Sequence, residues 1–254
     1  MELGLKGKCA VVTGGNTGLG AGICDVLAEE GMNIVINYLL LPEDAEKLAD
    51  DLKKKYGVKC LPFKADVTKA DEIDALYEAI EEKFGHADLL VNNAGIWPTT
   101  EVTEMDDDEW RKVIDINLTG PFIFSKRAIN HYIKHDVKGH IVCVSSKSGF
   151  AVTSPGHAHY ATAKGGINLM VKSLAREVSK KGIIVNGIAP GMVRTPLNED
   201  KLSQEKWIKY YEERIPVGRI SSAREVAYTV AFLASDKGMY ISGAIVDVTG
   251  GMLI

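Results

Sequence analysis

The sequence has no long apolar segment, no cluster of cysteines and no extended block of like charge. No apolar run approaches the roughly 20 residues that cross a bilayer, and the chain starts with charged residues where a secretory signal would be apolar. We therefore expect no membrane partner and no export. The net charge of −4 offers no basic surface for nucleic acid. The four cysteines lie far apart in apolar segments, which predicts buried thiols in a reducing cytoplasm.

Metal-ligand spacing is also missing among the cysteines, because no Cys-x-x-Cys pattern occurs. His157 and His159 form a His-x-His pattern without an acid or cysteine beside it. Such a pair is more often structural, or part of a substrate-pocket wall, than a metal site. We therefore predict no metal.

Short apolar strands alternate with amphipathic helices along the whole chain, and no linker or repeat divides it. That alternation predicts a parallel sheet covered by helices on both faces. The expected fold is α/β, a single-domain Rossmann-type doubly wound parallel sheet of about seven strands over 1–254. The predicted strands are 9–12, 33–38, 58–65, 88–91, 139–145, 183–188 and 244–248; the predicted helices are one ending at 31, then 42–56, 69–84, 106–135, 157–180 and 223–233.

Residues 190–216 form the least regular segment of the sequence. Prolines bound it at both ends, and Trp207, Tyr210 and Tyr211 lie among charged residues in its interior. This composition suits a substrate lid over a site at the strand ends, and it suits a surface helical hairpin equally well.

Tyr160 and Lys164 lie four residues apart on a predicted helix, so their side chains share one face. An ammonium beside a phenol favours the phenolate, which makes the pair a candidate general acid/base. A glycine-rich stretch, 13–20, joins the first strand to the first helix, where the helix N-terminus favours a pyrophosphate. The sequence thus predicts a dinucleotide site beside an acid/base group.

Five motifs together resemble the short-chain dehydrogenase/reductase family. They occur in the family's order with the expected elements between them, and the likeness covers essentially the whole chain. The resemblance implies a nicotinamide-dependent oxidoreductase. The motifs are Thr13-Gly-x-x-x-Gly-x-Gly20, Asn92-Asn93-Ala94-Gly95, Ser146, Tyr160-x-x-x-Lys164 and Pro190-Gly191.

The resemblance also implies four catalytic residues. Tyr160 would exchange a proton with the substrate oxygen, while Lys164 would bind the nicotinamide ribose and lower the tyrosine pKa. Ser146 would hydrogen-bond the substrate oxygen, and its sequence context favours it over the rival Ser145. Asn117 would hold a proton-relay water.

Cofactor contacts follow from the same resemblance. NAD-preferring members carry an aspartate at the end of the second strand, and NADP-preferring members carry a basic residue there or in the glycine loop. Neither signature is present here, and the missing cation for a 2′-phosphate favours NAD while leaving NADP possible. The implied contacts are Gly14, Asn16, Thr17, Gly18, Leu19, Gly20, Tyr38, Leu39, Asp66, Val67, Asn93, Tyr160, Lys164, Pro190, Gly191, Val193 and Thr195.

The expected function is hydride transfer between nicotinamide and a secondary alcohol or hemiacetal carbon. The sequence most resembles the sugar 1-dehydrogenase branch of the family, of the glucose and rhamnose type, notably at 37–38, 115–120 and 249–253. A 3-oxoacyl thioester reductase is the main alternative, and a non-catalytic nucleotide-binding protein is a less favoured one. The resemblance further implies a homo-oligomer, commonly a tetramer, with helices 106–135 and 157–180 and the last strand as interfaces.

Overall fold

The computed structural model describes residues 2–152 and 154–254, with the backbone alone at residue 197. Seven parallel strands form one sheet in the order β3-β2-β1-β4-β5-β6-β9, and a short parallel pair, β7 with β8, lies outside it. The strands are β1 (Cys9–Thr13), β2 (Asn33–Tyr38), β3 (Cys60–Lys64), β4 (Leu89–Asn92), β5 (His140–Val144), β6 (Ile184–Pro190), β7 (Val193–Arg194), β8 (Ser221–Ser222) and β9 (Ile245–Val248).

Helices cover both faces of this sheet. One buried apolar cluster lies under the helices on one face of the sheet, and the second lies under the helices on the other face. The predicted single-domain, doubly wound α/β fold is therefore confirmed. Within the two described stretches, no helix is both long and apolar enough to span a bilayer. The helices are α1 (Gly18–Glu29), α2 (Pro42–Tyr56), α3 (Ala70–Phe84), α4 (Asp107–Ile114), α5 (Gly120–Lys134), α6 (Ala158–Val178), α7 (Glu199–Leu202), α8 (Glu205–Glu212) and α9 (Ala223–Ala234).

Local sequence explains why the elements form where they do. Every residue of β1 and of β5 is buried, as expected for central strands covered on both faces. Helix α2 is amphipathic and buries Ala45, Ala49 and Leu52, which fall on one face at helical spacing. Pro42 occupies its first turn and Gly57 ends it in a left-handed conformation, with φ of 71°.

The helix predicted over 106–135 is interrupted. A π-helical turn, Asp115–Thr119, separates α4 from α5. The Asn117 side chain donates a hydrogen bond to Val113 O at 3.0 Å, a carbonyl that an α-helix would pair with the residue-117 amide. A Cβ at Gly120 would lie 2.9 Å from the Val67 side chain, so the chain also needs glycine where α5 begins. The π turn buries Asn117 beside the carboxyl end of the sheet.

The segment 190–216 begins at the last residue of β6, contains β7 and continues as short helical pieces, including α7 and α8. Leu202 and Ile215 are buried and anchor it, whereas none of the residues of α8 is buried. Lys201 Nζ lies 4.2 Å from the centre of the Trp207 ring. This helical content fits both a lid and a surface hairpin, so the lid stays a prediction.

Candidate active site

The glycine loop after β1 is tied to the loop after β4, at the point where the strand order reverses. Thr13 Oγ1 accepts hydrogen bonds from the backbone amides of Asn93 and Ala94, both at 2.9 Å. The Asn93 side chain donates in return to Thr13 O at 2.9 Å and Gly14 O at 3.1 Å. Asn93 therefore fixes the conformation of the glycine loop through two backbone carbonyls.

The loop itself is shaped so that only glycine fits at key positions. A Cβ on Gly20 would lie 2.1 Å from Gly14 O, and Gly14 and Gly18 both have positive φ. A Cβ on Gly18 would reach Thr195 at 3.5 Å, so the segment after β7 faces the start of α1. Close backbone approach at a helix N-terminus is the arrangement that binds a dinucleotide pyrophosphate. These residues fit the predicted cofactor.

The adenosine end of the predicted cofactor site lies where β2 ends. Asn16 Nδ2 donates to Leu40 O at 2.9 Å and Leu41 O at 3.2 Å, which ties the glycine loop to this segment. Leu39 is 44% exposed and Leu40 is 73% exposed. Leu41 has φ of 59°, a conformation uncommon for leucine. No charged side chain occurs in 38–41.

Asp66 and Val67 follow β3 as predicted, and both side chains contact other residues of the protein. Asp66 Oδ1 accepts from the backbone amide and the hydroxyl of Thr68, each at 2.8 Å. Val67 is buried against Gly120 at the start of α5.

The nicotinamide end of the predicted site lies where β6 ends. Pro190 is the last residue of β6, and Val193 pairs with Ser221 in the short sheet. A Cβ on Gly191 would lie 2.8 Å from Thr249 O, so this turn also requires a small residue.

Tyr160 lies in the first turn of α6, and Ser146 lies two residues beyond the end of β5. Burial raises the pKa of Tyr160 above its ordinary value, and the nearby Ser146 side chain offsets part of that rise. Burial lowers the pKa of Lys164 to about 8. Lys164 Nζ donates to Val144 O at 2.8 Å and lies 5.6 Å from the centre of the Tyr160 ring. The expectation that Lys164 lowers the tyrosine pKa stays a prediction: in this structure the Lys164 ammonium faces the Val144 carbonyl, and burial raises the pKa of the phenol.

Asn117 and Lys164 face the same space above Gly95. Asn117 Nδ2 donates to Ile96 O and Val113 O, both at 3.0 Å, while its buried Oδ1 has no partner in the described part of the chain. A Cβ on Gly95 would lie 2.6 Å from that oxygen and 3.8 Å from Lys164 Nζ. A side chain at position 95 would therefore fill the space beside the Asn117 oxygen and the Lys164 ammonium, and glycine leaves that space open.

The two neighbouring serines differ in their partners. Ser145 Oγ donates to Asn168 Oδ1 at 2.6 Å and to Lys164 O at 3.2 Å, which joins β5 to α6. Ser146 Oγ accepts the Ser148 backbone amide at 3.1 Å, and its side chain is close enough to Tyr160 to lower the pKa of the phenol. Of the two serines, Ser146 is therefore the one that affects the tyrosine.

An aromatic wall beside Tyr160 was only partly foreseen. Trp97 stacks on His157 with ring centres 5.0 Å apart, and its ring lies 6.3 Å from that of Tyr160. His157 Nδ1 is 3.0 Å from Pro98 O, and Trp97 is 44% exposed. The sequence signal is the placement of Trp97 two residues after the Asn-Asn-Ala-Gly motif and of His157 three residues before the tyrosine.

His159 does not join His157 at a common ligand. Its ring is fully buried, with Nε2 3.0 Å from Glu109 Oε1 and Nδ1 accepting the Tyr160 backbone amide at 2.8 Å. Glu109 is a contact that the sequence pattern did not indicate, because it lies 50 residues away along the chain.

A second group of potential ligands, Glu81, His131 and His135, lies between α3 and α5. The Ala87 amide donates to His131 Nε2 at 3.0 Å, so the neutral ring carries its proton on Nδ1, 3.3 Å from Glu81 Oε1. A metal-binding histidine normally donates from its second nitrogen instead of accepting there. Lys134 Nζ also contacts Glu81 at 2.7 Å. The group therefore fits a hydrogen-bonded cluster and not a metal site.

Comparison with known proteins extends over nearly the whole chain. A family model described as enoyl-(acyl carrier protein) reductase matches residues 14–253. The chain is 38% identical to 3beta-hydroxysteroid dehydrogenase 1 of Eggerthella lenta, over 98% of this chain and 95% of the relative. It is 38% identical to glucose 1-dehydrogenase 2 of Bacillus subtilis, over 98% and 96%. It is 40% identical to 3-oxoacyl-(acyl-carrier-protein) reductase FabG of Staphylococcus aureus, over 96% and 98%.

Solved structures give the same result. L-sorbose reductase from Gluconobacter frateurii, complexed with NADPH and L-sorbose, superimposes with a TM-score of 0.89 at 30% identity, covering 100% of this chain and 99% of that one. The chain therefore belongs to the short-chain dehydrogenase/reductase family. It is an NAD(P)-dependent oxidoreductase that acts on CH–OH or carbonyl groups.

Proposed function

We propose that this enzyme transfers hydride between a secondary alcohol or hemiacetal carbon of a sugar or polyol and NAD. The observation that carries the chemistry is the placement of Tyr160 beside buried Lys164, whose Nζ lies 5.6 Å from the centre of the tyrosine ring, with the Ser146 side chain close enough to lower the tyrosine pKa. Two proteins similar to this chain carry sugar substrates in their names, glucose 1-dehydrogenase 2 and L-sorbose reductase. The half-exposed Trp97 face next to Tyr160, with a histidine behind it, suits a ring with one apolar face and several hydroxyls.

In the oxidative direction, the Tyr160 phenolate takes the proton of the substrate hydroxyl. Ser146 donates a hydrogen bond to the substrate oxygen, where charge changes during the reaction. A bound nicotinamide would supply the hydride-accepting carbon. Lys164 would hold the ribose next to it. The Asn117 Oδ1, which has no partner among the described residues, would accept from a relay water that returns the proton to solvent.

The dinucleotide would lie along the carboxyl end of the sheet. The loop Gly14–Gly20 would hold the pyrophosphate, and Asp66 and Val67 would flank the adenine. Leu39 at the end of β2 would meet the adenosine ribose with an uncharged side chain. Burying a 2′-phosphate without a cation is costly, so we propose a modest preference for NAD over NADP.

The second candidate is reduction of a 3-oxoacyl thioester with NADPH. The identity of 40% to a 3-oxoacyl-(acyl-carrier-protein) reductase favours it. A non-catalytic nucleotide-binding protein is set aside, because the family is enzymatic and all four expected catalytic side chains are present.

Initial rates separate these candidates. The enzyme would be given NAD or NADP with a panel of aldoses, polyols and hydroxysteroids, and NADH or NADPH with 3-oxoacyl thioesters. We expect the highest kcat/KM for an aldose or polyol with NAD. A thioester reduced with a kcat/KM more than tenfold above every sugar would replace the proposal with the second candidate.

We also propose a homotetramer in the cytoplasm. Phe122 and Ile133 on α5 and Leu169 on α6 are exposed apolar side chains on the two predicted interface helices. The four free cysteines are buried, as suits a reducing compartment. Sedimentation velocity at micromolar concentration should show a tetramer, and Leu169→Glu should dissociate it. A wild-type monomer would contradict this assembly.

The segment 190–216 is proposed as the substrate lid. Its buried anchors, Leu202 and Ile215, bracket the exposed helix α8. Limited proteolysis within α8 should slow when NAD and substrate are both added, and unchanged cleavage would favour a surface hairpin.

A further inference from the structure

We propose that His159 and Glu109 form a positioning pair that holds the Tyr160 backbone in register for proton transfer, an inference that rests on the proposed function. His159 is fully buried directly before the tyrosine. Its Nε2 lies 3.0 Å from Glu109 Oε1, and its Nδ1 accepts the Tyr160 backbone amide at 2.8 Å. Neither residue is one of the four catalytic groups.

The hydrogen bonds fix which nitrogen of the His159 ring carries the proton. Nδ1 is an acceptor, so a neutral ring holds its proton on Nε2 and donates it to the Glu109 carboxylate. A carboxylate that selects one histidine tautomer is a known way to orient a ring precisely. Both nitrogens of His159 are thereby committed, and the ring cannot rotate without losing both bonds.

The contact lies in the first turn of the helix, where it can fix the position of the phenol. Helix α6 begins at Ala158, and amides in the first turn of a helix have no partner within the helix. The amide that His159 satisfies belongs to Tyr160 itself. The pair therefore restrains the one residue whose side chain must meet both Ser146 and the substrate oxygen.

Helix α4 connects this restraint to the other side of the site. Glu109 and Val113 lie one turn apart on α4 and share a face. Val113 O accepts from the Asn117 side chain at 3.0 Å. The N-terminus of α4 is fixed in turn by Asp106, whose side chain accepts from the Glu109 amide at 2.6 Å. One short helix thus carries the acceptors for His159 and for Asn117.

Four variants test the pair, with kcat, substrate KM and the NAD dissociation constant measured for each. His159→Phe and Glu109→Ala should lower kcat about 10- to 100-fold, because small misplacements of a catalytic group are that costly. Substrate KM and NAD affinity should stay within about twofold. Glu109→Gln keeps a carbonyl acceptor for Nε2 and should retain kcat within about threefold. Asp108→Ala, on the same turn but exposed, is the matched control and should leave kcat unchanged.

The results distinguish positioning from simple packing. A lower melting temperature with unchanged kcat per folded enzyme in Glu109→Ala would overturn the proposal. So would a Glu109→Gln variant as impaired as Glu109→Ala, since the hydrogen bond would then not be the reason. Glu109 is partly exposed, so we expect the Glu109 variants to fold, and they test the proposal even if His159→Phe does not fold. Failure of the proposed function itself would appear separately, as wild-type enzyme without NAD-linked turnover.

Discussion

The proposed substrate end and the proposed adenosine end of the site are built differently. At the proposed substrate end, Asn117 and Lys164 are buried, and Lys164 Nζ lies 5.6 Å from the centre of the Tyr160 ring. At the adenosine end, Leu39 and Leu40 are exposed and uncharged. From this comparison we expect the catalytic geometry to depend on the packed fold, and the choice of cofactor to depend on a few surface side chains. A change at the first end should therefore cost activity, and a change at the second should alter preference alone.

We expect the glycine loop between the two ends to be the region most sensitive to substitution. In Gly20→Ala the new Cβ would lie 2.1 Å from Gly14 O, so the loop must move. A shift costing about 3 kcal/mol would weaken NAD binding about 100-fold. Titration calorimetry measures it. Gly165→Ala is the control, because its Cβ meets nothing closer than 3.7 Å. Equal NAD affinity in both variants would remove the loop from the cofactor site.

The adenosine end should respond to a single cation. Leu39→Arg supplies a charge-assisted partner for a 2′-phosphate, worth about 1.5–3 kcal/mol, and should shift the NADP/NAD ratio of kcat/KM at least about tenfold towards NADP. Leu39→Gln, polar but uncharged, should shift it little. A wild-type enzyme that already favours NADP more than tenfold would show that a basic group elsewhere reaches the ribose.

We expect the loss of stability in acid to depend on two buried histidines outside the proposed site, and not on either end of that site. Burial lowers the pKa of His131 and of His140 to about 4. The unfolded histidines titrate near 6.5, so the unfolded chain binds more protons between these values. The contribution of these neutral histidines to the free energy of unfolding is fully present above pH 6.5. It falls as the pH drops towards 4, by up to about 1.4 kcal/mol per pH unit for each histidine. Melting temperatures across this range should decline, and a flat profile would contradict the buried neutral rings.

Much of the fold could be predicted because local spacing carries geometry. Tyr160 and Lys164 share a helix face by their spacing alone, and the glycines of the loop after β1 fall where a tight turn needs them. The alternation of strands and helices gave the parallel sheet. These features depend on neighbours in the chain, which is why sequence reasoning reaches them.

Contacts across the chain could not be predicted in the same way. The His159–Glu109 pair joins residues 50 apart, and the Trp97 wall depends on how two loops meet. The π turn at Asn117 arises because a side chain takes a carbonyl from the helix. The direction of the Tyr160 pKa depends on burial, which spacing alone does not reveal.

The role of Tyr160 as the proton-transfer group is tested most directly by Tyr160→Phe. NADH formation from NAD and the best sugar substrate would be measured together with NAD binding, and the exposed Tyr240→Phe would serve as the control. We expect Tyr160→Phe to fold and bind NAD normally while turnover falls at least about 100-fold, as for a lost general acid/base. Turnover near that of the wild type would contradict the mechanism.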